Sequence, residues 1–327
     1  MTGPVCVIIT ARNAAATIAD AVRSALAEPE VSELVLVDDA SQDDTAARAK
    51  SAAQGDDRLR ILQETQNIGP AQARNHAIDA SNAPFLAILD ADDYLLPGRF
   101  AALLTAPAFD MVADNIVFVP DERPGIVTPS ELPDVADHGF QALDLAEFIA
   151  GNIPAPGIAR GELGFLKPMI SRDFLNRHEL RYDPALWLGE DYDLYVRMLA
   201  KGARFQLSRQ LGYAARVRSN SLSGQHRTAD LAALLRATQT HRGLRDLHPS
   251  ERQAMRAHRD HLRDRYLLRA FLDRKRDLGL LRALPFALTP PENFLPIAKG
   301  IARDKFGRHR HAQQASQPDR RYLLPIE

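Results

Sequence analysis

Three short acidic segments carry the side chains best suited to chemistry, namely Asp38-Asp39, Asp90-Ala91-Asp92-Asp93 and Glu190-Asp191. The first two follow apolar runs at residues 34–37 and 85–89, which are typical of strands buried on both faces. Both segments would then lie at the carboxyl ends of parallel strands, where such sheets bind ligands. Their carboxylates would repel one another unless a cation or a hydrogen-bond donor lies among them. All-oxygen ligands favour Mg²⁺ or Mn²⁺, and we expect such an ion to hold a diphosphate.

The elements that must position these acids follow a regular alternation. Helical patterns separate short apolar runs, which predict strands at residues 5–9, 34–37, 59–62, 85–89 and 111–119. This alternation predicts an α/β fold with right-handed βαβ units and a mostly parallel, Rossmann-like sheet that has helices on both faces.

The charge changes sign along the chain, although the net charge is only -1. Acidic residues are in excess up to residue 227, whereas Lys and Arg are in excess from 228 onward. We therefore expect two domains, a catalytic domain at 1–227 and a basic helical region at 228–327. The last fifteen or so residues are expected to be frayed.

The function of the basic region is open at this level. Residues 279–302 combine leucines and phenylalanines with prolines that interrupt any membrane span. They could lie on an anionic membrane surface, cover the catalytic domain or form a homodimer interface. No zinc-finger, homeodomain or RNA-binding motif is present, so we expect no nucleic-acid partner.

The cysteine content, the first ten residues and the lengths of the apolar runs bear on the cellular compartment. Cys6 is the only cysteine, which excludes an internal disulfide and a cysteine-based zinc site. The first ten residues lack the pattern of a signal peptide, and no run of about 18 apolar residues exists. We expect a cytoplasmic protein, peripheral at the inner face of the cell membrane if the basic region binds lipid.

Two common nucleotide-binding motifs are absent from the sequence. No Gly-x-Gly-x-x-Gly follows the first strand, and no Gly-x-x-x-x-Gly-Lys-Ser/Thr occurs in the chain. Both the dinucleotide-binding and the P-loop classes are therefore disfavoured. A nucleotide held by carboxylates and a metal ion, without a glycine cradle, indicates a sugar nucleotide.

The chain resembles the family-2 glycosyltransferases of the GT-A fold. The resemblance covers about residues 4–220 and rests on motifs in family order, which are Val7-Ile8-Ile9-Thr10-Ala11-Arg12-Asn13, Val37-Asp38-Asp39-Ala40-Ser41, Asn67-Ile68-Gly69, Ala73-Arg74-Asn75, Leu89-Asp90-Ala91-Asp92-Asp93 and Gly189-Glu190-Asp191. Residues 163–170 and 216–223 are more specifically similar to bacterial exopolysaccharide glycosyltransferases of the succinoglycan type. Pro70 departs from many relatives, but proline fits the first turn of a helix.

The resemblance implies a donor site for a UDP-sugar. Thr10, Arg12 and Asp39 would line the uridine pocket, with Asp39 accepting from uracil. Arg74 would reach the base or the diphosphate, and Asp90 would lie along the ribose. The metal ligand would be Asp92 or Asp93, a choice that the sequence leaves open.

The resemblance also implies an inverting transfer. Asp191 would take the proton from the acceptor hydroxyl, and Glu190 would support it; the alternative is that both acids simply favour a helix N-terminus. Arg216 and Arg218 flank a Ser- and Gly-rich loop and could bind the diphosphate, or could equally be exposed residues at a strand end. Trp187 could stack on an acceptor sugar, although a lone tryptophan is more often part of a core.

The sequence as a whole predicts a metal-dependent, inverting hexosyltransferase. It would use Mn²⁺ or Mg²⁺ and move a sugar from a UDP-sugar, with UDP-glucose as the first guess, to a growing, lipid-linked saccharide of an exopolysaccharide or another cell-surface glycan. The alternative is a non-catalytic scaffold that binds nucleotide or membrane within a glycan assembly complex. A nucleotidyltransferase is disfavoured because its glycine-rich pyrophosphate loop is missing.

Overall fold

The computed structural model describes residues 4–120, 126–135, 139–154, 163–217, 227–242, 247–311 and 321–326. The chain forms two compact units, one of residues 1–148, 162–219 and 319–327, and one of residues 149–161 and 220–318. The first unit is built on a single sheet, whose strands are β1 (Val5–Ala11), β2 (Val31–Asp38), β3 (Leu59–Gln63), β4 (Phe85–Asp90), β5 (Tyr94–Leu95), β6 (Met111–Pro120), β7 (Phe140–Ala142), β8 (Met169–Ser171), β9 (Phe205–Val217) and β10 (Arg321–Tyr322).

The helices before residue 201 connect these strands. They are α1 (Ile18–Leu26), α2 (Thr45–Ala53), α3 (Pro70–Asp79), α4 (Arg99–Leu103), α5 (Leu145–Ala150), α6 (Arg172–Arg177) and α7 (Glu190–Ala200). In α1 the apolar positions Ile18 and Val22 are fully buried in the core that includes β1, β2 and β4, which is the face that the helical spacing predicts. Pro70 occupies the first turn of α3, as expected.

The sheet runs in the order β3-β2-β1-β4-β8-β6-β9-β5, with β10 paired to β6 and β7 paired to β9. The β3-β2-β1-β4 half is parallel and matches the predicted strands. The other half is mixed, because β8 is antiparallel to both β4 and β6, whereas β6 and β9 are parallel. The fold class is therefore confirmed, with antiparallel pairs that the apolar runs did not predict.

The C-terminal end of the chain differs from the expectation of fraying. Arg321 and Tyr322 pair with Phe118 and Val117 of β6 in antiparallel register. The side chain of Asn115 extends this pairing, because it accepts from the backbone N–H of Leu324 at 2.8 Å and donates to its carbonyl at 3.0 Å. The described end of the chain thus belongs to the sheet.

The second unit is helical where the structure describes it. Its helices are α8 (Thr228–Arg242), α9 (Pro249–Leu278), α10 (Leu280–Leu288) and α11 (Phe294–His311). Ala283 and Ala287 of α10 pack with Leu267, Phe271 and Ile297 in a small apolar core. Within the described part of the chain, no helix is both long and apolar enough to span a bilayer.

Cys6 lies inside the sheet on β1 and is fully buried. Burial raises the pKa of its thiol to about 12, since the thiolate would lose its hydration there.

Candidate active site

The predicted donor residues lie side by side at one edge of the sheet. Thr10 of β1 is in register with Val37 of β2 on one side and with Asp90 of β4 on the other. Asp39 follows β2 directly, and its backbone N–H donates to the carbonyl of Ala11 at 2.8 Å. The strand-end argument therefore correctly brings the first two acidic segments together.

Asp39 holds the loop that precedes α3. Its carboxylate accepts from the backbone N–H groups of Ile68 at 2.7 Å and of Gly69 at 3.0 Å. Gly69 has a φ of +83°, and a Cβ there would lie 3.1 Å from the indole of Trp187. Trp187 therefore packs on this loop, yet 43% of it remains exposed. It is not a core residue, which leaves a free indole face beside the site.

Arg74 projects from α3 into a cluster of three carboxylates. Its Nη1 donates to Glu190 and, at 3.0 Å, to Asp191, while its Nη2 donates to Asp90 at 3.2 Å. Only 3% of the residue is exposed. The three acids come from β4 and from the first turn of α7, where the helix dipole also favours negative charge.

Lys167 is the second cation of this cluster. Its Nζ lies 3.0 Å from Asp191 Oδ2 and 2.9 Å from Asp90 Oδ2. Lys167 is not among the site residues that the sequence motifs predict. A signal was available, because it is a single lysine within the apolar stretch at 163–170.

The cations and acids change one another's proton affinity. Burial alone would raise the pKa of Asp90, but Lys167 and Arg74 outweigh it and lower that pKa. At Glu190 burial prevails over Arg74, and its pKa is raised. The pKa of the Lys167 ammonium is also raised, because Asp191 and Asp90 outweigh the burial that would lower it.

Asp93 is buried on the opposite side of Asp90. Its carboxylate accepts from the hydroxyl of Tyr213 at 2.8 Å and from the backbone N–H of Arg216 at 2.9 Å. Burial, followed by the charges of Asp92 and Asp90, raises its pKa well above the ordinary range. Asp92 is less buried than Asp93. The two candidate metal ligands therefore differ in burial.

Other predicted donor cations have different surroundings from Arg74. The guanidinium of Arg216 pairs with Asp20 of α1 at 2.6 Å and covers the ring of Tyr94, so it does not join the carboxylate cluster. Arg12 is exposed just beyond β1. Arg218 lies outside the described residues.

A buried ion pair supports the segment that carries Lys167. Arg99 contacts the Asp114 carboxylate through Nε at 2.8 Å, and its Nη2 donates to the backbone carbonyl of Lys167 at 2.5 Å. Gly212 of β9 leaves room for this pair, since a Cβ there would lie 1.8 Å from Asp114 Oδ2. The absence of a side chain at 212 thus leaves space for the ion pair that contacts the Lys167 backbone.

The site fits a divalent ion that is shared with a substrate. Among the described residues, no group of three or more His, Cys, Asp or Glu side chains is arranged to hold an ion. Mg²⁺-type sites with phosphates commonly use one or two carboxylates and complete their coordination with phosphate oxygens and water. Asp90, about a third exposed, and Asp92 match that donor set.

Solved structures share this architecture at low sequence identity. S. aureus TarS residues 1–349, solved with UDP-GlcNAc, matches with a TM-score of 0.59 and 18% identity over 85% of this chain and 74% of that chain. The mannosyltransferase PcManGT from Pyrobaculum calidifontis, solved with GDP-Man and Mn²⁺, matches with a TM-score of 0.55 and 17% identity over 96% and 84%. The fold is GT-A, as the sequence predicts.

Sequence comparisons give the family. The model described as glycosyl transferase family 2 matches residues 6–154. Succinoglycan biosynthesis protein ExoU of Rhizobium meliloti is 47% identical over 98% of this chain and 95% of its own length. ExoO of the same organism is 34% identical over 70% and 65%. The chain belongs to glycosyl transferase family 2, as the motifs predict.

Proposed function

We propose that this protein is an inverting, metal-dependent hexosyltransferase. It transfers a sugar from a UDP-sugar, with UDP-glucose as the first candidate, to a growing lipid-linked saccharide in the synthesis of a succinoglycan-type exopolysaccharide. The observation that carries the proposal is the shared cation pair, because Arg74 and Lys167 each contact both Asp90 and Asp191. Asp90 lies at the donor strand ends, and Asp191, held by the same two cations, serves the acceptor.

The donor half of the site recognises the nucleotide. Thr10, Arg12 and Asp39 line the uridine pocket. Asp39 already accepts two backbone hydrogen bonds, but a carboxylate offers about four acceptor positions. It therefore retains capacity for the N–H of uracil.

Asp92, together with Asp90, would hold the divalent ion. When bound, Mn²⁺ or Mg²⁺ would neutralise charge on the departing diphosphate. Asp93 accepts from Tyr213 and the backbone of Arg216 instead. The mannosyltransferase PcManGT was solved with Mn²⁺, which is consistent with a divalent ion.

Asp191 acts as the general base. The acceptor hydroxyl gives its proton to Asp191 while its oxygen forms a bond to the anomeric carbon. The bond from that carbon to the diphosphate breaks on the opposite face, so the configuration inverts and UDP leaves. Arg74 and Lys167 each donate to one oxygen of Asp191, which fixes the plane of the carboxylate. A base positioned in this way contributes about 10²- to 10⁴-fold in rate.

Trp187 forms the acceptor platform. Its indole is fixed on one face by Gly69 and is about half exposed. It precedes Glu190 by three residues in the chain and packs on the Gly69 loop that Asp39 holds. An aromatic face of this kind suits the apolar face of a sugar ring.

The decisive assay is UDP release from a panel of UDP-sugars with Mn²⁺ or Mg²⁺ and a crude lipid-linked acceptor fraction. Wild type should release UDP from one donor only when metal and acceptor are present. Asp191→Asn should lose at least about 10²-fold in rate, while the exposed control Asp173→Asn should retain activity. UDP binding without turnover, unchanged by Asp191→Asn, would instead establish the scaffold alternative.

A further inference from the structure

The helical unit carries a concentrated apolar surface. Exposed large apolar side chains cluster within eighteen consecutive residues of its chain, and they are Leu278, Leu280, Leu281, Leu284, Leu288, Phe294 and Leu295. Elsewhere in the described chain, exposed side chains of this kind are limited to Ile126, Trp187 and Val217. We call the seven residues the leucine surface. Contiguous apolar surface of this kind marks an interaction site.

Helix α10 turns its leucines outward and its alanines inward. Leu280, Leu281, Leu284 and Leu288 fall within an arc of about 100° around the helix axis. Ala283 and Ala287, on the adjoining arc, are buried against α9 and α11. A helix that only covered a protein core would place its leucines inward. Leu281, at 82% exposure, is thus turned away from the apolar core of this unit.

Exposed cations neighbour the leucine surface in the chain. Lys275 and Lys299 are exposed on the flanking helices, whereas Arg282 of α10 lies about 100° around the helix axis from Leu281, outside the arc of leucines. The nearby acids Asp277 and Glu292 are already paired with Arg276 and Arg263. The chain after residue 227 is rich in Lys and Arg as a whole.

From this combination we propose that the leucine surface docks on an anionic lipid bilayer. The helix α10 has nine residues, far short of the roughly 20 that span a bilayer, so it lies in the interface with its leucines among the acyl chains. The flanking cations meet lipid phosphates. A second copy of the chain would bring the same positive charge face to face and is disfavoured for that reason.

The docking is independent of glycosyl transfer and is tested by binding alone. The full chain is floated with phosphatidylcholine vesicles that contain or lack phosphatidylglycerol, at low and high salt. We expect binding to the anionic vesicles at low salt, and at least a tenfold loss in the double variant Leu281→Glu with Leu284→Glu. The control is Ile126→Glu, which places one glutamate at a residue of 36% exposure outside the leucine surface.

Equal vesicle binding by wild type and the double variant would overturn the proposal, as would binding that ignores phosphatidylglycerol. Light scattering on the same samples tests the other candidate occupant, a second copy of the chain. A wild-type dimer that the double variant converts to a monomer, without vesicle binding, would assign the leucine surface to a second copy. UDP release with a detergent-dispersed acceptor should be the same in wild type and the variant, so failure of docking is distinguishable from failure of the proposed chemistry.

Discussion

Lys167 Nζ lies 3.0 Å from Asp191 Oδ2, and the same nitrogen lies 2.9 Å from Asp90 Oδ2. One ammonium thus connects the proposed base to the acid at the end of β4. The two acids are about a hundred residues apart in the chain, so their relative placement depends on Lys167 and Arg74.

Replacing Lys167 with methionine should separate binding from catalysis. Asp191 would lose one of its two cationic partners and its orientation, and a misplacement of this kind costs about 10²-fold in rate. We expect kcat to fall by about that factor while the Kd for UDP, measured by calorimetry, stays within a few-fold. Lys167→Arg should restore part of the rate.

The matched control for this variant is Lys201→Met, which removes an exposed lysine that follows α7. It should leave both kcat and the Kd unchanged. Equal losses of kcat and UDP affinity in Lys167→Met would argue against a positioning role.

Gly212→Ala should destabilise the protein through a distant effect on Lys167. The new Cβ would displace the Asp114 carboxylate and the Arg99 side chain, and breaking a buried pair costs about 3–5 kcal/mol. Thermal unfolding should report a clear drop in Tm. In the control Gly202→Ala nothing lies within 4 Å, so only the strain of its positive φ, about 1 kcal/mol, should appear.

Asp92→Asn and Asp93→Asn should produce different defects. The first should raise the Mn²⁺ concentration that gives half-maximal UDP release by at least tenfold. The second should mainly lower Tm, because an amide cannot accept from both Tyr213 and the Arg216 N–H, and an unsatisfied buried donor costs about 1–3 kcal/mol. Identical metal profiles for the two variants would refute the assignment of the ion to Asp92.

Trp187→Ala should raise the KM for the acceptor about tenfold, because the exposed indole face would be lost, and leave the Kd for UDP unchanged. Trp187→Phe retains a ring and should be intermediate. A change confined to UDP binding would show that the indole serves the donor through the Gly69 loop.

Stability should fall on acidification because of His258. Burial, aided by the charges of His261, His241 and Arg265, lowers its pKa to about 3 from an ordinary 6.5. Between these values the unfolded chain binds a proton that the folded chain does not, so the free energy of unfolding decreases as pH falls below about 6.5. The Tm of His258→Gln should depend less on pH between 7 and 4.5, whereas the half-buried control His178→Gln should follow wild type.

Features that depend on neighbours in the sequence could be predicted. The strand ends at Asp38 and Asp90 follow from apolar runs and parallel pairing, and the start of α7 at Glu190 follows from its helical spacing. The order of the family motifs along the chain indicated that the segments before α3 and α7 contribute to the site.

Features that depend on contacts between residues far apart in the sequence could not be predicted. Arg74 reaches Glu190 across 116 residues, and Lys167 is placed by an ion pair between β6 and α4. Strands β5, β7 and β10 have only two or three residues, too few to show a period. Their existence depends on pairing with the longer β6 and β9.

Because Cys6 is buried, its thiol will not compete with a cysteine introduced elsewhere for labelling reagents. A thiol with a pKa of about 12 inside β1 is almost entirely protonated and shielded at neutral pH, so it reacts slowly with maleimides and oxidants. A single engineered cysteine, such as Leu281→Cys, would then carry a polarity-sensitive dye at one known position. Site-specific labelling of the protein therefore does not require that Cys6 be replaced first.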